Sequence, residues 1–192
     1  MKTYIIKIWE TEELRDLGES DIVEIDLESL KNAISRAKEI MEEQNYASLE
    51  VQDSEQTETF YYCTPNEEEY YYNFEENDIE EKIKKVVELY FAEKGLGNLM
   101  DYGSDRDSLA MPTITDLYKE LMEKLDIQCC SIETYDISDG KYRTVIEFEN
   151  GNSITVDTSA WNNEEIVSDN IISIQEEYER TRENVEEDEM EI

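Results

Sequence analysis

The chain contains no histidine. That absence removes the commonest general base, the Ser–His and Cys–His nucleophile pairs, and every zinc site that needs an imidazole. Cysteine is nearly as scarce. Cys63, Cys129 and Cys130 are odd in number, lack C-x-x-C spacing, and include two neighbours of a kind that rarely bridge. They point to neither a structural zinc site nor a disulfide framework, and they favour a reduced intracellular setting. No apolar run approaches the roughly 18–20 residues that a membrane helix needs, and the opening MKTYIIKIWE lacks the long apolar region of a secretory signal. A cytoplasmic protein is therefore expected. Neither G-x-G-x-x-G nor G-x-x-x-x-G-K-[ST] occurs, so no phosphate-cradling loop is legible.

Cations are the most telling shortage. Seventeen Lys and Arg stand against 51 Asp and Glu, a net charge of -34. Proteins bind bare DNA or RNA largely by replacing counterions along the phosphates with Lys and Arg, so this chain is not expected to bind nucleic acid directly. Its expected partner is a basic surface. The 39% hydrophobic and 10% aromatic content is too apolar for a disordered polyanion, which points to a folded protein with an extreme surface.

The shortage is sharpest between Lys38 and Lys82, where 43 consecutive residues contain no Lys or Arg and carry a net charge of -15. The peak is EEEYYYNFEENDIEE, Glu67 to Glu81, with eight carboxylates and four aromatics. Around it the pattern predicts an α+β fold. Residues 3–10 and 22–25 read as strands. Leu30, Ala33, Ile34, Ala37, Ile40 and Met41 fall at helical spacing behind Asp26 or Ser29 as N-cap, and residues 47–52 and 57–64 read as two more strands. This makes an N-terminal ββαββ module over residues 1–76, closed by Pro65.

Residues 77–175 then read as a helical pair and an antiparallel β-meander. Asp78 caps a helix ending at Gly95, in which Glu80–Lys84 and Glu81–Lys85 form i, i+4 pairs. A second helix opens at Thr113. Strands follow at 130–136, 142–149 and 153–157, the last two joined by Asn150-Gly151, with a fourth strand at 171–175. Residues 176–192, with nine acids and two arginines, read as a frayed helix or a disordered acidic tail.

Two kinds of chemistry remain open to carboxylates. Asp101, Asp105 and Asp107 in DYGSDRDS form the nearest candidate for a Mg-dependent nuclease, although they miss the D-x-[DN]-x-[DN]-G calcium pattern. The other is imitation of a phosphate row. Alternate residues of a strand lie about 6.6–6.8 Å apart on one face, and i, i+3 or i, i+4 neighbours on a helix about 5–6 Å apart. Glu39 with Glu42 or Glu43, Glu67 with Glu69, and Glu147 with Glu149 have spacings of that order. Tyr70, Tyr71, Tyr72 and Phe74 within the acidic run supply contact area and cation–π partners for arginine, or alternatively a strand that buries alternate rings.

In size, net charge, lack of histidine and acidic faces the chain resembles the small acidic anti-CRISPR and antirestriction inhibitors of phages and mobile elements. The resemblance is one of class and carries no motif over position by position. It implies a non-enzymatic inhibitor without cofactor, working in the cytoplasm of a bacterial host. As a nucleic-acid mimic it would occupy the basic DNA- or guide-RNA-binding site of a partner such as Cas9 or a restriction enzyme. The expected contact residues are Glu39, Glu42, Glu43, Glu67, Glu68, Glu69, Tyr70, Tyr72, Phe74, Glu75, Glu76 and Asp78. A carboxylate nuclease and a regulatory interaction protein of a mobile element stand as alternatives, and the oligomeric state is left open.

Overall fold

Tyr4–Trp9 (β1) is buried at every position but Lys7, as suits an interior strand that pairs on both sides. The computed structural model describes residues 3–27, 29–72, 78–99, 111–138, 140–149 and 151–190. The chain divides into two compact units, Met1–Glu76 and Asn77–Ile192. Both mix helices with antiparallel sheet, so the fold is α+β.

In the first unit β1 is followed by α1 (Glu12–Asp16), β2 (Asp21–Leu27), α2 (Leu30–Glu43), β3 (Ser48–Asp53), β4 (Thr59–Cys63) and β5 (Glu68–Tyr70). The five strands form one antiparallel sheet in the order β2-β1-β3-β4-β5. Helix α2 begins where Ser29 accepts the Asn32 N–H through its hydroxyl, and it buries Leu30, Ala33, Ile34, Ala37 and Ile40 against the sheet. Ile6 and Ile8 are in register with Val51 and Leu49 and share the core with them. Each such side chain contributes about 1.5–3 kcal/mol by leaving water. A register shift between β3 and β4 leaves Phe60 as the extra residue of a bulge on β4, fully buried and edge-on to Tyr4 with ring centroids 5.5 Å apart.

The ββαββ order is present with two additions. Thr11 caps α1, a five-residue helix that buries nothing and so shows no apolar period. Pro65 does not close the module. The Thr64 hydroxyl accepts the N–H groups of Asn66 and Glu67, turning the chain back to add β5 at the sheet edge.

The second unit contains α3 (Ile79–Lys94), α4 (Met111–Lys124), β6 (Ser131–Ser138), β7 (Lys141–Glu147), β8 (Ser153–Ser159) and α5 (Glu164–Met190). Asp78 caps α3, and Gly95 ends it in the left-handed conformation at φ 68°, where a Cβ is disfavoured. Helices α4 and α5 pack on the meander β6-β7-β8, and α3 packs on α4 and α5. The Tyr90 hydroxyl donates to Glu120 at 3.0 Å, and Lys94 reaches the same carboxylate at 3.1 Å, tying α3 to α4. The Tyr118 hydroxyl lies 2.6 Å from that of Thr158 and accepts from Asn170 Nδ2 at 2.8 Å, which ties α4 to β8 and α5.

One expectation needs correction here. Residues 171–175 are not a fourth strand: they lie in α5, where Val167, Ile171 and Ile174 recur at helical spacing and are fully buried. Of the two readings of the segment after 175, the helical one holds as far as Met190, where α5 ends, with the Tyr178 ring 5.8 Å from that of Phe148 and Thr181 buried. On α3, Lys84 pairs with Glu81, three residues earlier, at 3.2 Å, and Glu80, four residues earlier, adds to the attraction, while Lys85 is buried. Among the described residues no helix is long and apolar enough to cross a membrane.

Candidate acidic interface

Strand alternation divides the acidic aromatic stretch between two faces. In the antiparallel register Cys63 stands opposite Glu68, and Tyr61 opposite Tyr70. Glu68 and Tyr70 therefore share the face on which α2 packs. There Lys38 meets them: its ammonium lies 3.2 Å from the Glu68 carboxylate, 5.5 Å from the Tyr70 ring centre and 5.8 Å from that of Tyr61. The Tyr61 and Tyr70 rings are 5.0 Å apart, and the Tyr70 hydroxyl donates to Glu68 at 3.2 Å. Partial burial of Lys38 works against its charge, but the Tyr70 hydroxyl and the Glu68 carboxylate outweigh it and hold its pKa above the ordinary lysine value.

Glu69 points the other way. It continues the cross-strand row Lys7, Glu50, Tyr62. Its carboxylate is exposed and accepts the Tyr71 hydroxyl at 2.7 Å. Burial and then that hydrogen bond push the Tyr71 pKa up to about 12. Arg15 stacks over the Tyr62 ring on this side at 5.0 Å.

The acids from residue 39 onward are thus not without compensating cations. Arg36 binds Glu39 at 3.1 Å and Lys38 binds Glu68, both from within α2. Sequence order hides the second pair, because helix packing brings residue 38 to residue 68. Glu42, Glu43, Glu67 and Glu69 are exposed and have no cationic partner among the described residues. Tyr70 is half-buried, its ring shared between Tyr61 and Lys38. Tyr72 is also half-buried. Phe74, Glu75 and Glu76 lie outside the described residues. Asp78 belongs to the second unit, where its carboxylate accepts the N–H groups of Glu80 and Glu81 at 3.0 and 3.4 Å as the α3 cap. Among the described residues of the first unit, Glu68 and Tyr70 thus lie on the sheet face covered by α2 and Glu69 on the opposite one.

Among the described residues no group of three or more cysteines and carboxylates is placed to hold a metal ion, and Asp101, Asp105 and Asp107 lie outside them. All three cysteines are free. Burial pushes the Cys63 thiol up, and burial with the neighbouring Cys130 does the same to Cys129, which is unfavourable to a thiolate nucleophile. What the first unit offers is a set of exposed carboxylates on two elements, fixed in position by a packed helix and a paired strand. No family model, curated protein or solved structure matches the chain.

Proposed function

We propose that the protein is a non-catalytic, stoichiometric inhibitor that occupies the basic nucleic-acid groove of a defence nuclease, such as a Cas effector or a restriction enzyme. The observation that carries this reading is the unneutralised set Glu42, Glu43, Glu67 and Glu69 on a unit with 21 acids and six cations. Acids at the C-terminal end of α2 oppose the helix macrodipole, so stability alone does not favour Glu42 and Glu43 there. An external cationic surface supplies the missing attraction.

The test is competition. The protein is titrated into a Cas nuclease and a restriction enzyme, each bound to labelled duplex, at rising salt. Stoichiometric displacement that weakens steeply with salt supports the reading, and binding undiminished by both about 0.5 M salt and excess DNA refutes it. Changing Glu42, Glu43, Glu67 and Glu69 together to Gln is expected to abolish displacement. Retained affinity in that variant would favour a regulatory interaction protein whose acids serve only solubility.

A further inference from the structure

The two outer strands of the meander are finished differently. Side chains of the second unit engage the main chain of β8: Asn170 Nδ2 donates to the Asp157 carbonyl at 3.2 Å, and Asn162 Oδ1 accepts the Ser159 N–H at 2.6 Å. Along β6 nothing comparable is present. Among the described residues the main chain from Ser131 to Ser138 is bonded only to β7. None of the eight residues of β6 is buried, and neither lysine, proline nor shortness guards the edge. A strand in that position turns half of its amides and carbonyls away from its one neighbour, toward solvent.

A groove of about 460 Å³ lies at the start of this strand. Helix α4 packs on β6, where the Thr115 hydroxyl donates to that of Thr134 at 2.8 Å. Toward its C-terminal end α4, with the link 127–129 and the first residues of β6, encloses the groove, and Met122, Ile127 and Ile132 are its apolar lining. Glu123, Asp126 and Glu149 also line it, exposed and without a cationic partner among the described residues, against the single cation Lys119. Register sets what an added strand would meet. Ile132 stands opposite the fully buried Ile146 and so belongs to the face on which α4 packs, whereas Ser131 and Glu133, opposite Glu147 and Val145, belong to the other. On that outer face Glu147 accepts the Ser131 hydroxyl at 3.0 Å and Glu133 accepts the Tyr135 hydroxyl. Both carboxylates are exposed, and neither has a cationic partner among the described residues.

We infer that β6 accepts an extended segment of another protein as an added strand of the meander, a segment in which apolar residues alternate with lysine or arginine. Main-chain hydrogen bonds along the edge supply affinity, the apolar residue level with Ile132 enters the groove, and the cations on either side of it face Glu133 and Glu147. A second copy is a poorer occupant, because two such edges would set Glu133, Glu147 and the acids of the groove against their own kind. The inference concerns the second unit and does not depend on the nucleic-acid-mimicry reading.

The probe is a capped heptapeptide that alternates lysine with valine, titrated into the full chain at about 0.15 M salt while amide exchange is followed by NMR. With peptide at about ten times its Kd, exchange of the amides on the free edge of β6 is expected to slow about tenfold. Two N-methylated versions, one blocked at every lysine and one at every valine, separate strand pairing from charge. A strand bonds its neighbour through one set of amides only, so one version should bind as the parent does and the other about tenfold more weakly. Glu133→Gln and Glu147→Gln, both at exposed positions, should each weaken binding about two- to fivefold, and changing Glu42, Glu43, Glu67 and Glu69 together to Gln should leave it unchanged. Equal binding by the two N-methylated peptides, or no slowing of exchange in β6 at about millimolar peptide, would overturn the inference and leave the mimicry reading standing. Slow exchange in β6 without peptide, deepening as protein concentration rises, would overturn it as well by assigning the edge to a second copy.

Discussion

Replacing Lys38 by Met separates what holds β5 in place from what the surface offers a partner. Methionine keeps a long apolar stem and removes the charge. The ion pair to Glu68 is half exposed, with side-chain exposures of 33% and 48%, and so contributes about 0.5 kcal/mol. The two ring contacts at 5.5 and 5.8 Å add about 0.5 kcal/mol each. The expected loss is about 1–1.5 kcal/mol for the first unit, a fall in Tm of about 4–8 °C for each kcal/mol in a domain of this size. Trp9 lies in the first unit and Trp161 in the second, so in a Trp161→Phe background indole emission reports the first unit alone. Glu68→Gln should cost about 0.5 kcal/mol, and the double variant less than the sum of the two, since both changes remove the same pair. Affinity for a basic partner should move the opposite way. Lys38→Met makes the surface more acidic, so under nearly native conditions binding should hold or tighten. A change in stability within about 0.3 kcal/mol would show that Lys38 does not anchor β5, and affinity falling with stability would place Lys38 itself in the contact.

Two further outcomes follow from the second unit. Burial raises the pKa of Tyr118 to about 12 despite its hydrogen bonds to Thr158 and Asn170, against about 10 when unfolded. The unfolded chain therefore loses this proton first, so the contribution is whole below about pH 10 and falls by about 3 kcal/mol as pH rises to about 12. Circular dichroism through that window should show a steeper loss for the wild type than for Tyr118→Phe, and equal slopes would refute the assignment. Asp78→Ala should destabilise the second unit by about 1 kcal/mol through loss of the α3 cap, measured by thermal unfolding, whereas Asp78→Ser should retain most of it. If Asp78→Ser leaves affinity for a basic partner untouched, Asp78 serves α3 alone.

Much of the fold is legible in periodicity. Helix α2, the stripes of α3 and α4 and the three-stranded meander all repeat with their own period over enough residues to be read. The failures share a cause. Ile171, Ile172 and Ile174 are β-branched, and within five residues they imitate a strand; only with Val167 does the helical spacing emerge. Helix α1 buries nothing, and β5 spans three residues, so neither carries a period. The acidic interface was legible as composition and invisible as geometry. The string EEEYYY cannot disclose that Glu68 turns to Lys38 while Glu69 turns to Tyr71, because both facts depend on register with β4 and on where α2 lies.

The alternation along β5 also bears on how such a sequence can drift. At Glu42, Glu43 and Glu67, exchange between Glu and Asp preserves the surface charge, so identity at these positions is weakly constrained even if the field is strongly selected. The length of the turn from Thr64 to Glu67 is another matter. One residue gained there would bring Glu67, and one lost would bring Glu69, into the place of Glu68 and move the tyrosines with it to the opposite face. Homologous chains are therefore expected to be recognisable less by their residues than by spacing: a constant interval between β4 and the first acid of β5, kept while the letters around it change.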